Sequence, residues 1–145
     1  MYKHILLPTD GSDLSAKAVR DGIHFAKEIG ARVTAVHVTA PFHPTEMTPS
    51  VFTAHMTEHE EKAKASAKHA LDAVTETARA AGVSCATVHQ VSSSPYEAII
   101  ALAGEAKCDL IFMASHGRRG VAALLLGSET SKVLTHSKIP VLVTR

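Results

Sequence analysis

Residues 108–114 have the sequence CDLIFMA, and this apolar run decides the fold class. After Asp109 no polar residue alternates with the apolar ones, which is typical of a parallel strand covered on both faces. A second apolar run, ILL at residues 5–7, stops at Pro8 and also suits a buried strand. The two runs predict a parallel sheet with helices packed on both of its faces.

Strand and helix patterns alternate along the chain. Apolar residues recur every three to four positions from the expected N-cap Ser12 to a helix end at Gly30, and a longer helix ends at Gly82. The run Ser94-Pro95-Tyr96-Glu97 predicts a capping box that begins a third helix, and a fourth begins near Ser128. The predicted strands span residues 3–9, 31–39, 83–91, 108–114 and 139–144. This order predicts an α/β fold with right-handed crossovers.

Length, charge and composition exclude several classes of protein. A chain of 145 residues with 46% hydrophobic content is long enough for a core of its own, so we predict one domain over residues 1–145. Fifteen basic against fourteen acidic residues leave a formal charge of +1, and aromatic residues make up only 4%. Nucleic acid is therefore not an expected partner, because the chain has no excess of basic residues to neutralise phosphates and few aromatic residues to stack on bases.

Cysteines and apolar runs predict the location of the protein. Cys85 and Cys108 are the two cysteines and do not form a C-x-x-C pair, which suits a reducing compartment. The run at residues 5–7 is too short for the core of a signal peptide, and no apolar run approaches a membrane span. We therefore expect a cytoplasmic protein without membrane contact, in which both cysteines are small buried residues.

A glycine-rich loop follows the fourth predicted strand. Gly117, Gly120 and Gly127 fall within eleven residues, Arg118 adds charge, and Ser128 begins the next helix. Glycines let backbone N–H groups approach an anion, and a helix N-terminus attracts phosphate. In parallel sheets ligands bind beyond the carboxyl ends of strands, where the direction of winding reverses. One interpretation of these glycines is a phosphate-binding loop, and the other is that they are simply turn and helix-start residues. The sequence contains neither of the common nucleotide-binding motifs, the P-loop and G-x-G-x-x-G.

Several stretches together resemble the universal stress protein family: ILLPTDGS at residues 5–12, MASHGRRG at 113–120, Gly-Ser at 127–128 and KIPVLVTR at 138–145. The nucleotide-binding members of that family carry Gly-x2-Gly-x9-Gly-Ser/Thr. Gly117 and Gly127 match this motif, whereas Ala114 stands at its first glycine. The resemblance covers the whole chain. It implies a single-domain, Rossmann-like three-layer sandwich with a five-stranded parallel sheet in the order 3-2-1-4-5 and four helices.

The same resemblance implies that the chain binds ATP, with Mg²⁺ accompanying the nucleotide. Asp10 would accept hydrogen bonds from ribose hydroxyls or hold a metal through water, and Val38 and Met113 would line the adenine pocket. The implied binding residues are Pro8, Thr9, Asp10, Val38, Met113, Ala114, His116, Gly117, Arg118, Gly120, Gly127, Ser128, Glu129 and Thr130. No catalytic residue and no metal ligand set of the protein's own is predicted.

Two other functions remain open beside an ATP-binding regulatory module. A slow ATPase or phosphotransferase would use Asp10 with a metal, and Ser128 as a phosphate acceptor, but the sequence supplies no evident general base. A protein that binds partners without any nucleotide also remains open, because Ala114 departs from the motif.

Two further patterns match known motifs in part. Ser115 resembles the serine of a G-x-S-x-G nucleophile elbow, but Met113 stands at the position of the first glycine. Glu129 and His136 would have to complete the triad.

Residues 55–59, HMTEH, match the inverted zincin pattern H-x-x-E-H. Ten histidines make a chance pair expected, so the simpler interpretation is a solvated helix start.

The last predicted strand begins at Ile139, ends at Thr144 and contains no charged residue. In the order 3-2-1-4-5 it is a sheet edge, whose unpaired N–H and C=O groups can pair with another chain. We therefore predict a homodimer through this strand, in which the two copies pair antiparallel about a two-fold axis. An edge covered by the chain end is the alternative.

Overall fold

The structure, a computed structural model, describes residues 1–44, 47–118 and 126–145. Its elements in chain order are β1 (His4–Pro8), α1 (Asp13–Ile29), β2 (Arg32–Thr39), α2 (Pro49–Ala81), β3 (Cys85–Val91), α3 (Pro95–Glu105), β4 (Leu110–Ala114), α4 (Ser128–His136) and β5 (Val141–Thr144). The strands form one parallel sheet in the order β3-β2-β1-β4-β5. The predicted fold class and sheet order are confirmed.

The central strands are apolar on both faces because each face meets a layer of helices. Ile5 and Leu7 pack into the cluster built by α1 and α2, whereas Leu6 packs into the cluster built by α3 and α4. All three side chains are at most 1% exposed. Burying one such side chain stabilises the fold by about 1.5–3 kcal/mol. No helix of the described ranges combines the length and apolar character needed to cross a bilayer.

The predicted ends of the first two helices are confirmed. Ser12 is the N-cap of α1, and its side chain accepts a hydrogen bond from Ser15 N at 3.2 Å. Gly30 and Gly82 end α1 and α2 in the left-handed conformation, with φ of 67° and 72°. Glycine takes this conformation at no steric cost, which is why it marks both ends.

The capping box predicted at the start of α3 is wrong. Ser94 makes no side-chain cap, and its own N–H donates to Ser92 Oγ at 3.1 Å, so it has no N–H left for Glu97. Glu97 instead accepts from the hydroxyl of Tyr96 at 3.0 Å. The Tyr96 N–H donates to the side chain of Glu129 in α4 at 2.9 Å. A residue from another helix therefore caps α3.

Each strand is shorter than predicted. Residues 139 and 140 precede β5 because the Ser137 hydroxyl accepts from Ile139 N at 3.0 Å and forms a turn there. Cys108 lies before β4, since its N–H donates to Ala103 O at the end of α3. Cys108 is buried as predicted, but Cys85 on the edge strand β3 is only partly buried, which corrects that prediction. Burial raises the pKa of the Cys108 thiol to about 11.

Candidate functional site

The candidate site lies where β1 and β4 run side by side at the centre of the sheet. The loop after β1 leads to a helix on one face, and the loop after β4 leads to α4 on the other, so the two loops separate and leave a cleft. A cavity of about 610 Å³ occupies this position, and we call it the first cavity. The predicted residues that line it are Pro8, Thr9, Asp10, Val38, Met113, Ala114, His116, Gly117, Arg118, Gly127, Ser128, Glu129 and Thr130. Gly120 lies outside the described residues.

The cavity also contains residues that the sequence did not single out: Ser15, Val36, Ala40, Ser92, Ser93, Pro95 and Ile99. Ser92 and Ser93 follow β3, so the site draws on the ends of β1, β2, β3 and β4. The expectation that ligands bind beyond the carboxyl ends of parallel strands could have found this loop. Its sequence carries no glycine or charge to distinguish it.

One wall of the first cavity is apolar. It is lined by Val36 and Val38 from β2, by Met113 and Ala114 from β4, and by Ile99 of α3. Met113 and Ala114 are 6% and 8% exposed. Such a wall suits a flat, weakly polar group such as a nucleobase, because apolar lining provides most of the contact area in small-molecule sites.

Asp10 joins the two loops that form the cleft. Its Oδ1 accepts from Ser12 N at 2.9 Å and its Oδ2 accepts from Arg118 N at 2.8 Å. We call this pair of hydrogen bonds the Asp10 bridge. A Cβ at Gly117 would overlap Oδ2, which explains the glycine at that position. A carboxylate has about four lone-pair directions, so Asp10 can still accept from a ligand.

A buried network supports the start of α1 below Asp10. Ser15 Oγ donates to Thr9 Oγ1 at 2.8 Å, and Asp10 N donates to Ser15 Oγ at 3.2 Å. His37 Nδ1 donates to Thr9 O at 2.8 Å. Burial lowers the pKa of His37, so its ring is neutral at neutral pH. These contacts hold the end of β1 in place without using a ligand.

The start of α4 approaches the end of β4 closely. Gly127 N donates to Ser115 O at 2.7 Å, and a Cβ at Gly127 would lie 3.2 Å from both Ser115 O and His116 Cα. The first N–H groups of any helix have no partner within it. The first turn of α4, which begins at Ser128, therefore offers donors and the positive end of a helix dipole to the cavity.

Thr130 and Glu129, predicted beside phosphates, both have partners within the protein. The Thr130 hydroxyl donates to Ala114 O at 2.9 Å and is buried. The Glu129 carboxylate accepts from Tyr96 N at 2.9 Å and from Lys132 Nζ at 3.2 Å. Their side chains therefore hold α4 against β4 and α3, and the negative charge of Glu129 opposes a phosphate beside it.

The alanine at the first motif glycine is compatible with its backbone. Ala114 is the last residue of β4, and among the described non-glycine residues positive φ occurs at Lys107 alone. A Cβ is costly only where φ is positive or space is absent, and Ala114 meets neither condition. Its carbonyl accepts from Thr130, so the position also anchors α4.

The partial motifs for other chemistry do not assemble. Ser115 is 1% exposed and its hydroxyl lies 3.0 Å from His116 Nδ1, so it cannot reach a substrate as a nucleophile. The other triad candidate, His136, packs against Tyr96 in a tilted arrangement with ring centroids 5.3 Å apart. In the H-x-x-E-H stretch, His59 Nε2 donates to Ala40 O at 2.8 Å while Glu58 accepts from the Lys62 ammonium at 2.6 Å.

The chain matches the profile of the universal stress protein family over residues 1–145. Universal stress protein MJ0531 of Methanocaldococcus jannaschii is 34% identical over 149 residues, with 100% of this chain and 83% of that protein covered. The chain therefore belongs to the universal stress protein family, whose members are stress-response proteins. The resemblance seen in the sequence is confirmed.

Two solved structures extend this comparison. The hypothetical protein MJ0577, whose structure was used to assign a biochemical function, has a TM-score of 0.83 and 29% identity, covering 99% of this chain and 96% of that one. A universal stress protein in complex with cAMP has a TM-score of 0.69 and 26% identity, covering 99% and 97%. The neighbours share the sheet and helix arrangement described above.

Proposed function

We propose that this protein binds ATP in the first cavity and acts as a small regulatory module of the stress response. The observation that carries the proposal is one cavity with an apolar wall at one end and the glycine-bounded start of α4 at the other. A nucleotide matches both ends of this cavity, because its flat, weakly polar base suits the apolar wall and its anionic phosphates suit the start of α4. The similar universal stress protein in complex with cAMP supports the same ligand class.

Within the cavity each part of the nucleotide has matching residues. Val38 and Met113 would contact adenine, and Asp10 would accept from ribose hydroxyls with the lone pairs that the Asp10 bridge leaves. Backbone N–H groups of the first turn of α4, which begins at Ser128, would face the phosphates. Ala114 does not hinder this arrangement, since it sits in unstrained strand backbone.

The side chains around the cavity fit Mg²⁺ only as a companion of the nucleotide. Mg²⁺ in nucleotide sites is held by phosphates, water and one or two carboxylates. Glu129 is engaged by Tyr96 and Lys132, so Asp10 is the carboxylate of the described lining that is left for the ion's water shell. Mg²⁺ would stabilise phosphate charge, and no protein-held metal is required.

We further propose that the protein works in the cytoplasm as a homodimer joined through β5. Its two cysteines are free thiols, as expected in a reducing compartment. Strand β5 pairs only with β4 in the described sheet, so its other edge is available to a second copy. Nucleotide binding next to β4 would then occur one strand away from the subunit contact.

The proposal is tested by denaturing the purified protein and identifying any released nucleotide, followed by calorimetry with ATP. Gly127→Val should weaken ATP binding at least about tenfold, because a Cβ there would lie 3.2 Å from Ser115 O and His116 Cα and would shift the start of α4 that faces the phosphates. Gly104→Val is the matched control, since a Cβ at Gly104 meets nothing within 4 Å. Unchanged ATP affinity in a folded Gly127→Val variant contradicts the phosphate position, and release of ADP with measurable turnover indicates an enzyme instead.

A further inference from the structure

A second cavity, of about 440 Å³, adjoins the first. It lies between the end of β2 and the first half of α2, where His37, Thr39, His59, Lys62 and Ser66 line it. The two cavities share a wall, because Asp10, Val38, Ala40 and Arg118 line both. The nucleotide proposed for the first cavity leaves this second space unexplained.

The charged groups of the second cavity favour an anion. Arg118 and Lys62 are cationic, and the one acid of the described lining, Asp10, already accepts two backbone N–H groups. The Arg118 guanidinium makes no hydrogen bond or ion pair within the described chain, and its Nη2 would lie 3.0 Å from a Cβ at Gly11. Lys62 pairs with Glu58, but that pair is exposed and contributes little, so its ammonium can turn to a ligand.

The imidazole of His37 adds an acceptor for a hydroxyl group. His37 is 4% exposed, and its Nδ1 must carry the proton because Thr9 O can only accept. In the neutral ring Nε2 is therefore a lone pair, and it has no hydrogen-bond partner among the residues described. Because His37 lines the second cavity, a ligand hydroxyl there can donate to this lone pair.

We propose that the second cavity receives a phosphate carried on the ribose of a nucleotide whose base and 5′-phosphate occupy the first cavity. The ligand class is an adenine nucleotide phosphorylated at the 2′ or 3′ position as well as at the 5′ position. The inference rests on the proposed function, because it needs the ribose beside Asp10. Asp10, which is proposed to accept from the ribose hydroxyls, lines both cavities, so a phosphate on the 2′ or 3′ oxygen would lie next to the second cavity.

The same chemistry would recognise free inorganic phosphate, and ligand comparison separates the two sources. Calorimetry would compare AMP, adenosine 3′,5′-bisphosphate, adenosine 2′,5′-bisphosphate and inorganic phosphate on the whole chain. One of the bisphosphates should bind at least about tenfold tighter than AMP, the effect of one added charge-assisted hydrogen bond. That preference should fall with added salt, because it is electrostatic.

The double variant His59→Gln with Lys62→Gln tests the location. Both residues line the second cavity and not the first. Glutamine at position 59 can still donate to Ala40 O. Lys64→Gln is the matched control, since Lys64 is exposed on the same helix and lines neither cavity. We expect the double variant to lose most of the bisphosphate preference while it keeps the AMP affinity of the parent, and Lys64→Gln to keep both.

Each other outcome overturns the inference in a recognisable way. AMP binding with no preference for either bisphosphate refutes it and leaves the proposed function standing. Absence of binding by every nucleotide, including ATP, refutes both. Inorganic phosphate that binds the parent and is lost in the double variant, without any bisphosphate preference, assigns the second cavity to a free anion. A preference that survives the double variant places the ribose phosphate elsewhere.

Discussion

Removal of the Asp10 bridge should destabilise the protein even without a ligand. Asp10→Ala breaks the hydrogen bonds to Ser12 N and Arg118 N. A hydrogen bond to a charged group contributes about 1.5–3 kcal/mol. Because Asp10 is only partly buried, water reaches the freed N–H groups, so we expect a total loss of about 2–3 kcal/mol in the free energy of unfolding. At this chain length that corresponds to a Tm lower by about 4–12 °C.

Urea denaturation and thermal melting of the ligand-free protein provide the measurement. The matched control is Asp13→Ala, which removes an acid from the first turn of α1 that makes no hydrogen bond within the described chain. Loss of its favourable dipole interaction should cost about 0.3–1 kcal/mol. Equal destabilisation by Asp10→Ala and Asp13→Ala would refute the bridge and leave Asp10 as a turn residue with a ligand role alone.

Three further measurements follow from contacts described above. Burial lowers the pKa of His4 and His37, so as the pH falls these histidines gain a proton in the unfolded chain before they do in the folded protein. The free energy of unfolding should be at its full value above the ordinary histidine pKa and decline below it, by at most about 1.4 kcal/mol per pH unit for each ring. A urea midpoint that stays constant from pH 7.5 to 5 contradicts this. Glu129→Gln should lower the Tm through loss of the charged cap on α3, with Glu97→Gln as the control that leaves the Tm nearly unchanged. Val143→Pro should convert the proposed dimer to a 15.4 kDa monomer in sedimentation, because the N–H of Val143 faces the free edge of β5. A single 15.4 kDa species for the parent protein disproves the proposed dimer.

The central strands and helix ends are predictable because their causes are local. β1 and β4 are covered on both faces, so their apolar runs are unbroken and stand out in the sequence. Gly30 and Gly82 adopt a backbone conformation that few other residues accept, and Ser12 caps with an atom three residues from its partner.

The error at the start of α3 arises from a contact between distant segments. Ser94 and Glu97 fit a capping box by spacing, yet Glu129, thirty-three residues from Tyr96, takes the N–H of that residue. The spacing rule considers a single helix and cannot include a neighbouring one. The strand end at β5 fails for a local reason, since the side-chain turn between Ser137 and Ile139 competes with the β5 ladder.

The candidate site, like the fold, could be predicted from the sequence only in part. Residues after β1 and β4 could be named from the sequence because glycines, an acid and a helix start mark them. The Asp10 bridge could not, because it joins residues 108 positions apart and depends on the sheet order. Ser92 and Ser93 were missed because only the adjacency of β2 and β3 brings that loop to the cavity.

The pairing of β1 with β4 has a consequence for the folding kinetics. β1, β2 and β3 pair with their neighbours in sequence, whereas Lys3 N reaches Asp109 across 106 positions. Closing so long a loop has a large entropic cost, so this seam is expected to form late on the folding route. A ligand that contacts both sides of the seam stabilises the native state more than the transition state. Bound nucleotide should therefore slow unfolding and leave the refolding rate nearly unchanged. The lifetime of the folded chain would then depend on whether the nucleotide site is occupied.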